Sequence, residues 1–330
     1  MKVVVAGLGA VGTRTARQLM SGPESPDLVV VSGDEARAAA VARSLGPSAA
    51  AASWGPGAVA GADVVVLTGA GRHRPLAETA LEAGASVVSI ADSVGDVRAL
   101  LDLDAEALER GRTVAVGAGF SPGLGCLLAR HAASEFDEVE EVHVAKVGTG
   151  GPACARAHHR ALSGDALDWR DGAFVRRRGG SGRELCWFPD PVRARDCYRA
   201  GLSESLLLAP ALPGVQRVTA RVAASRRDRF TAHLPMLRPP HAEGMIGAVR
   251  VEVRGLRGQV RDTRVLGVID RPAVAAGTVA AVAAVEAGAG RLLRPGAGGL
   301  AELVTDPLPL LRDLWDRGVR AAVFEGAGLG

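Results

Sequence analysis

Apolar positions follow two regimes along this chain. In the first third, short unbroken runs, KVVVA at 2–6, LVVV at 28–31, DVVVL at 63–67, SVVSI at 86–90 and TVAV at 113–116, alternate with segments whose apolar residues recur at helical spacing. The latter include TRTARQLM (13–20), EARAAAVARSL (35–45) and RPLAETALEAG (74–84). Unbroken β-branched runs read as strands buried on both faces, and their alternation with helices predicts a parallel, doubly wound sheet. Ligands of such sheets bind beyond the carboxyl ends of the strands.

From about Val139 the texture changes. VEEVHVAKV (139–147) is strand-like and GPACARAHHRAL (151–162) is helical, while GAFVRRR and GRELCWF flank a GGS turn and predict a hairpin. AVRVEVRG (248–255) and VRDTRVLGVID (260–270) alternate apolar and polar residues, the period of a half-exposed antiparallel hairpin. The segment 272–288, PAVAAGTVAAVAAVEAG, is apolar all round and is expected to pack back on the first domain. The expected organisation is a nucleotide-binding domain at 1–137, an inserted α+β domain with a mixed or antiparallel sheet at 138–270, and a returning segment at 271–330.

The first strand run breaks directly into Gly7, Gly9 and Gly12. Such spacing suits a dinucleotide pyrophosphate: the first glycine makes the turn, the second admits the phosphates, and the third lets the helix pack on the sheet. The helix start around Val11 adds free N–H groups and a positive dipole end. Asp34, 22 residues past Gly12, is placed to bind ribose hydroxyls of NAD or to cap the next helix. Ser32 and Gly33, with Arg14 or Arg37, would instead admit the 2′-phosphate of NADP, so both cofactors stay open. Gly69, Ala91 and Asp92 follow the ends of later strands and are further candidates, Asp92 toward the substrate.

Composition narrows the field. Hydrophobic residues make up 48% of 330, enough for a large core, and a net charge of +3 with 3% aromatics gives no basic, aromatic-interleaved face for nucleic acid. Apolar stretches fall short of membrane-spanning length and Met1 leads straight into the first strand, so a cytoplasmic protein without a membrane partner is expected. Cys126, Cys154, Cys186 and Cys197 show no CxxC pair and no zinc-ligand spacing; no metal site is expected, and the thiols should be reduced.

The chain resembles the saccharopine dehydrogenase-like oxidoreductases, the group containing saccharopine reductase, lysine 6-dehydrogenase and carboxynorspermidine synthase. The resemblance rests on KVVVAGLGAVG, EAGASVVSIAD, DAEALERGRTVAVGAGFSPGLGCLLA, WFPDPV, LPGV and PGAGGLAELV. It implies a Rossmann-type domain, a homodimer built through the inserted sheet, and hydride transfer to or from a C–N bond of a small carboxylate-bearing metabolite. It also implies that the loop GAGFSPGL (117–124), with Gly119, Phe120, Ser121 and Pro122, faces the nicotinamide. Gly123 and the helix start behind it would then meet the substrate. The sequence of the inserted domain departs from that of the saccharopine and lysine enzymes, which leaves the substrate open.

A second cluster follows in that domain. Lys146 ends a strand, Thr149, Gly150 and Gly151 form a turn, and His158 and His159 sit on the next helix. Successive glycines before a helix offer N–H groups to an anion, and a histidine exchanges a proton near neutral pH; imine reduction needs both. Adjacent helical residues point about 100° apart, so one histidine faces the cleft. His159, sharing a face with Arg156 and Ser163, is expected as the acid/base; His158, beside Cys154 and Leu162, as the packed one with a secondary substrate contact. Lys146 and Asp168 are the alternative catalytic groups, and Arg160 a substrate contact. Two other readings compete: a dinucleotide-binding sensor without catalysis, and an enoyl reductase with a greasy cleft for a lipid-like substrate.

Overall fold

The computed structural model describes residues 1–22, 25–236 and 239–323. The first half runs β1 (Lys2–Ala6), α1 (Ala10–Met20), β2 (Asp27–Val31), α2 (Glu35–Leu45), β3 (Ala49–Ala52), α3 (Pro56–Val59), β4 (Val64–Leu67), α4 (Arg74–Glu82), β5 (Ser86–Ser89), α5 (Val94–Leu101), α6 (Asp104–Glu109), β6 (Thr113–Val116) and α7 (Leu124–Ala133). There follow β7 (Glu138–Val147), α8 (Pro152–Ala161), β8 (Asp165–Arg170), β9 (Ala173–Arg178), β10 (Glu184–Trp187), β11 (Ala194–Arg199), α9 (Glu204–Ala211), β12 (Arg217–Ala223) and α10 (Arg226–Thr231). The chain closes with β13 (Gly247–Arg257), β14 (Val260–Asp270), α11 (Pro272–Gly288), β15 (Gly296–Gly299), α12 (Pro307–Asp316) and β16 (Arg320–Val323).

The valine runs do what their pattern predicts. β1, β4, β5 and β6 are buried on both faces inside a seven-stranded sheet of order β15-β6-β5-β4-β1-β2-β3, with every pair parallel. From β1 the chain winds outward through β2 and β3, then crosses to β4 and winds the other way. The switch point therefore lies between β1 and β4, and a crevice opens beyond the carboxyl ends of these two strands.

Two glycines make this crevice possible. A Cβ on Gly7, whose φ is +100°, would lie 2.3 Å from the Gly69 nitrogen, and one on Gly12 would lie 1.8 Å from the Gly7 carbonyl oxygen. The backbones of the β1 and β4 loops thus touch, and Thr68 Oγ1 donates to the Gly7 carbonyl at 2.6 Å to fix them. Gly9 is different: a Cβ there would meet nothing within 4 Å.

The second sheet has nine strands, with the path β10-β11-β12-β7-β13-β14-β16 and β8 and β9 attached through β12. It is mixed, since β7 and β12 run parallel while the other pairs are antiparallel. The hairpin expected around GGS is not formed. β9 pairs with β8 across Asp171 and Gly172, both with left-handed backbone (φ +48° and +84°), and β10 pairs with β11. An Asp-Gly pair closes a two-residue hairpin whose twist matches the strands. The GGS glycines instead let backbones cross, because a Cβ on Gly179 would sit 2.2 Å from the Gly164 carbonyl oxygen.

Helix α11 packs against α1, β4 and β5, with Gly277 over Arg14. The last segment is shared between the sheets: β15 extends the first beside β6, whereas β16 crosses to pair with β14. Among the described residues no helix is long and apolar enough to cross a membrane. The contrast between the glycines yields a test. Gly12→Ala forces a methyl group into backbone and should lower unfolding free energy by at least about 1–3 kcal/mol in urea titrations, while Gly9→Ala should shift the midpoint little.

Candidate active site

A cleft of about 1000 Å³ opens at the switch point. Its floor comes from the strand ends of the first sheet: Gly9 and Val11 after β1, Gly69 to His73 after β4, Ile90 to Ser93 after β5, and Gly119 to Pro122 after β6. Its roof comes from the second sheet: Lys146, the turn Gly148 to Gly151, and Cys154, Arg156, His158 and Arg160 on α8. Expected cofactor positions Gly9, Val11, Gly69, Ala91, Gly119, Phe120, Ser121 and Pro122 all line it, as do Asp92, Thr149, Gly150, Gly151, His158 and Arg160. Gly7 and Gly12 lie beneath the floor and shape it. Gly123 stands behind, at φ +114°, where a Cβ would come within 2.2 Å of the Gly119 carbonyl oxygen; its role is to close the 117–124 loop on itself. Asp34 caps α2, accepting from the Arg37 N–H at 3.0 Å, and is exposed beyond the cleft lining.

Against the Gly119–Pro122 loop lies a buried ion pair. The Lys146 ammonium donates to the Ser121 carbonyl at 2.7 Å and sits 3.0 Å from Glu204 Oε1, which also accepts the Ser121 hydroxyl at 2.7 Å. Lys146 is 2% exposed and Glu204 0%, so neither charge reaches water. Burial disfavours the ammonium, but the negative Glu204 and Asp92 outweigh it and hold the Lys146 pKa above its ordinary value. Glu204 occupies the first turn of α9, where the helix dipole favours a carboxylate.

One residue earlier, the Ser203 hydroxyl donates to the Asp92 carbonyl at 2.9 Å, so the start of α9 braces both the β5 and β6 loops. The Asp92 carboxylate then meets His158, whose Nε2 donates to Oδ2 at 3.1 Å; Cys154 Sγ lies 3.7 Å from the same nitrogen. Burial works against a charged imidazole, yet the Cys154 sulfur and the Asp92 hydrogen bond prevail, and the pKa of His158 is raised to about 9. Burial would likewise push Asp92 up, but its bond to His158 carries it below the usual carboxylate range. The raised His158 pKa favours a protonated imidazole at neutral pH, oriented by the Asp92 carboxylate at the cleft wall, with Nδ1 buried and without a partner among the described residues. His73, buried at the floor, has ring nitrogens 2.8 Å from Ser89 Oγ and 2.9 Å from the Gly69 carbonyl, and fixes the β4 loop.

Two expected catalytic residues lie elsewhere. His159 does not line the cleft; its Nε2 donates to the carbonyls of Thr231 (3.0 Å) and Leu234 (3.2 Å), tying α8 to the end of α10 and the turn after it. The two histidines do diverge around the helix, but their faces are exchanged, because the partner that draws one inward, Asp92, comes from the first sheet. Asp168 is buried on β8 against Arg199 Nε at 2.9 Å and does not line the cleft. The sequence reading overlooked Glu204, Ser203 and Cys154. Only Cys154 left a signal, its i, i+4 spacing to His158.

No protein-family model matches the chain. Among solved structures, apo saccharopine dehydrogenase (L-Glu forming) from Saccharomyces cerevisiae is similar over 98% of this chain and 99% of its own, at 15% identity and a TM-score of 0.72. C. glutamicum DAP dehydrogenase in complex with DAP is similar over 97% and 99%, at 16% identity and 0.52. An engineered D-amino acid dehydrogenase bound to NADP+ is similar over 97% and 99%, at 15% identity and 0.51. At these identities the likeness is one of fold: a Rossmann-type α/β sheet joined to a second, mixed sheet.

The buried ion pair makes a stability prediction. Lys146→Met strands the Glu204 carboxylate and should cost about 3–5 kcal/mol in denaturant unfolding, and the double variant Lys146→Met, Glu204→Gln should recover part of that loss.

Proposed function

We propose that this chain is an NAD(P)-dependent oxidoreductase that moves hydride to or from the carbon of a C–N bond in a small carboxylate-bearing metabolite. The observation that carries the reading is the pairing of a glycine floor at the switch point with a charged, carboxylate-held histidine in the roof of one cleft. A dinucleotide fits the residues present. Gly9 lines the cleft where a side chain would project into open space, and the start of α1 follows with no acidic residue in its first turn. Gly9, Val11 and Gly69 would hold the pyrophosphate, and Gly119 to Pro122 the nicotinamide end. The bound cofactor would supply hydride exchange at its nicotinamide ring.

The roof supplies the rest. His158 donates a proton to the substrate nitrogen, and Asp92 keeps its ring oriented and charged. Arg156 and Arg160, one turn apart on α8 and both lining the cleft, supply cations for a substrate carboxylate. The fold shared with the compared dehydrogenases, one of them bound to NADP+ and one in complex with DAP, supports the same reading. Arg156 and Arg160 in the cleft lining favour a charged substrate over a lipid-like enoyl one, and a histidine held by Asp92 favours catalysis over a pure sensor. We place the protein in the cytoplasm, where its four free cysteines stay reduced, as a homodimer. Edge strand β10, with Leu185 and Trp187 57% and 61% exposed, favours a second copy as cover; a monomer in light scattering at high micromolar concentration would refute it.

Gly9→Val should fold normally and lose NAD and NADP binding in fluorescence titration; unchanged affinity sinks the cofactor assignment. His158→Gln should keep cofactor binding and lose about 100- to 10,000-fold in turnover, whereas His159→Gln should lower thermal stability before rate. Because His158 is charged below about 9 and neutral above it, reductive kcat/KM should be level near neutrality and fall about tenfold per pH unit beyond 9. A profile that rises through this range contradicts the donor role.

A further inference from the structure

The mechanism above leaves one reactive group in the cleft unused. Cys126 is buried between helix and sheet, where burial and the Glu204 charge push its thiol up to about 12. Cys186 and Cys197 sit in a small apolar cluster with Phe188 and Val192. Cys154 alone lines the cleft. We infer that Cys154 is a nucleophile of this site, and that through it the protein oxidises a small aldehyde to a carboxylate by way of a thioester on its sulfur.

The geometry is that of an activated nucleophile: the sulfur lies 3.7 Å from His158 Nε2, and the histidine is held by Asp92 at 3.1 Å. Both partners share one nitrogen of His158 and Nδ1 has none among the described residues, so this is not a triad relay, in which the orienting group holds the other ring nitrogen; the charged imidazolium, kept by Asp92, instead favours a thiolate beside it. The helix adds to it, since Cys154 is the third residue of the ten-residue α8, where the dipole and unpaired N–H groups favour a thiolate. Burial raises the thiol pKa, but the charged His158 and a hydrogen bond from Gly150 overcome it and bring it below the ordinary value. The Cys154 sulfur, the His158 nitrogen and the Asp92 oxygen all lie within 4.8 Å of one another.

The inference rests on the dinucleotide reading and extends its substrate class. Oxidising an amine at a primary carbon with one NAD(P)+ gives an imine and NAD(P)H, and water converts that imine to an aldehyde with release of the nitrogen as ammonia or an amine. The thiolate attacks the aldehyde carbon; a C–S bond forms, and the carbonyl oxygen takes the His158 proton to give a hemithioacetal. A bound oxidised nicotinamide would accept hydride from that carbon while the hydroxyl proton returns to His158, and C=O reforms as a thioester. After His158 releases its proton to solvent, it accepts one from water, which adds to the thioester; the C–S bond breaks and the thiolate is regenerated. Aldehyde, NAD(P)+ and water become carboxylate, NAD(P)H and two protons.

The experiment has a cofactor-free arm and a loaded arm. A free thiol is only about 3% thiolate at pH 7, so iodoacetamide, with the adduct mapped by mass spectrometry, should label Cys154 at least about tenfold faster in the wild type than in His158→Gln. The wild type should also show thiolate absorbance near 240 nm that Cys154→Ser lacks. With succinate semialdehyde and NAD+ or NADP+, rapid quenching should reveal the acyl mass on Cys154, trapped by hydroxylamine and absent from Cys154→Ser and Cys154→Ala. Equal labelling rates, missing 240 nm absorbance, undiminished aldehyde oxidation in Cys154→Ser, or a stoichiometric zinc ion on Asp92, Cys154 and His158 would each overturn the inference. Binding of the dinucleotide without an acyl adduct overturns the aldehyde step alone; failure to bind NAD and NADP overturns the cofactor reading and this step with it.

Discussion

An ammonium group sealed from water holds the two sheets of this protein together at their common face. Lys146 belongs to β7 of the second sheet, yet its hydrogen bond reaches the backbone of the loop that follows β6 of the first. Removing both charges of the Lys146–Glu204 pair from water costs several kcal/mol per ion, which their attraction offsets only with good geometry and further hydrogen bonds. Here the Ser121 carbonyl and hydroxyl provide those bonds, one to each partner. The pair is thus better understood as a locator than as a source of stability. It sets where the Gly119–Pro122 loop stands, and Ser203 beside Glu204 sets where Asp92 stands. The floor and the roof of the cleft share one anchor at the start of α9.

The sequence disclosed the first sheet well, for a local reason. Strands buried on both faces must be apolar throughout, so β1, β4 and β6 announce themselves, and Gly7, Gly9 and Gly12 are required by a turn made within a few residues. The second sheet was legible only in part. β13 and β14 are neighbours in sequence and pair with the alternation expected of a hairpin, but β9 and β10 pair with partners outside the segment first read as one hairpin. The Asp171–Gly172 turn was the better local signal there, and the GGS glycines serve a close crossing of backbones.

The site divides along the same line. Residues on the floor could be named because they follow strand ends. The roof was harder, since helical geometry says that His158 and His159 point apart without saying which finds a partner. That choice was made by Asp92, 66 residues away, and by the carbonyls of Thr231 and Leu234 on the opposite side. Glu204 had no signal at all. A carboxylate inside ESLLLAPA reads as an ordinary helix start until its tertiary neighbours, Ser121 and Lys146, are known.

The contact between Gly7 and Gly69 bears on the order in which ligands enter. With their backbones touching, Thr68 bonded to the Gly7 carbonyl and His73 bonded to the Gly69 carbonyl, the β1 and β4 loops form one pre-set bed. An arriving dinucleotide has no loop to rearrange there and loses little affinity to ordering. The bed is complete without any group from α8, while a substrate beneath His158 needs the nicotinamide as its own lower wall. On the proposed function, such a division favours cofactor first and substrate second, with the dinucleotide the last to leave.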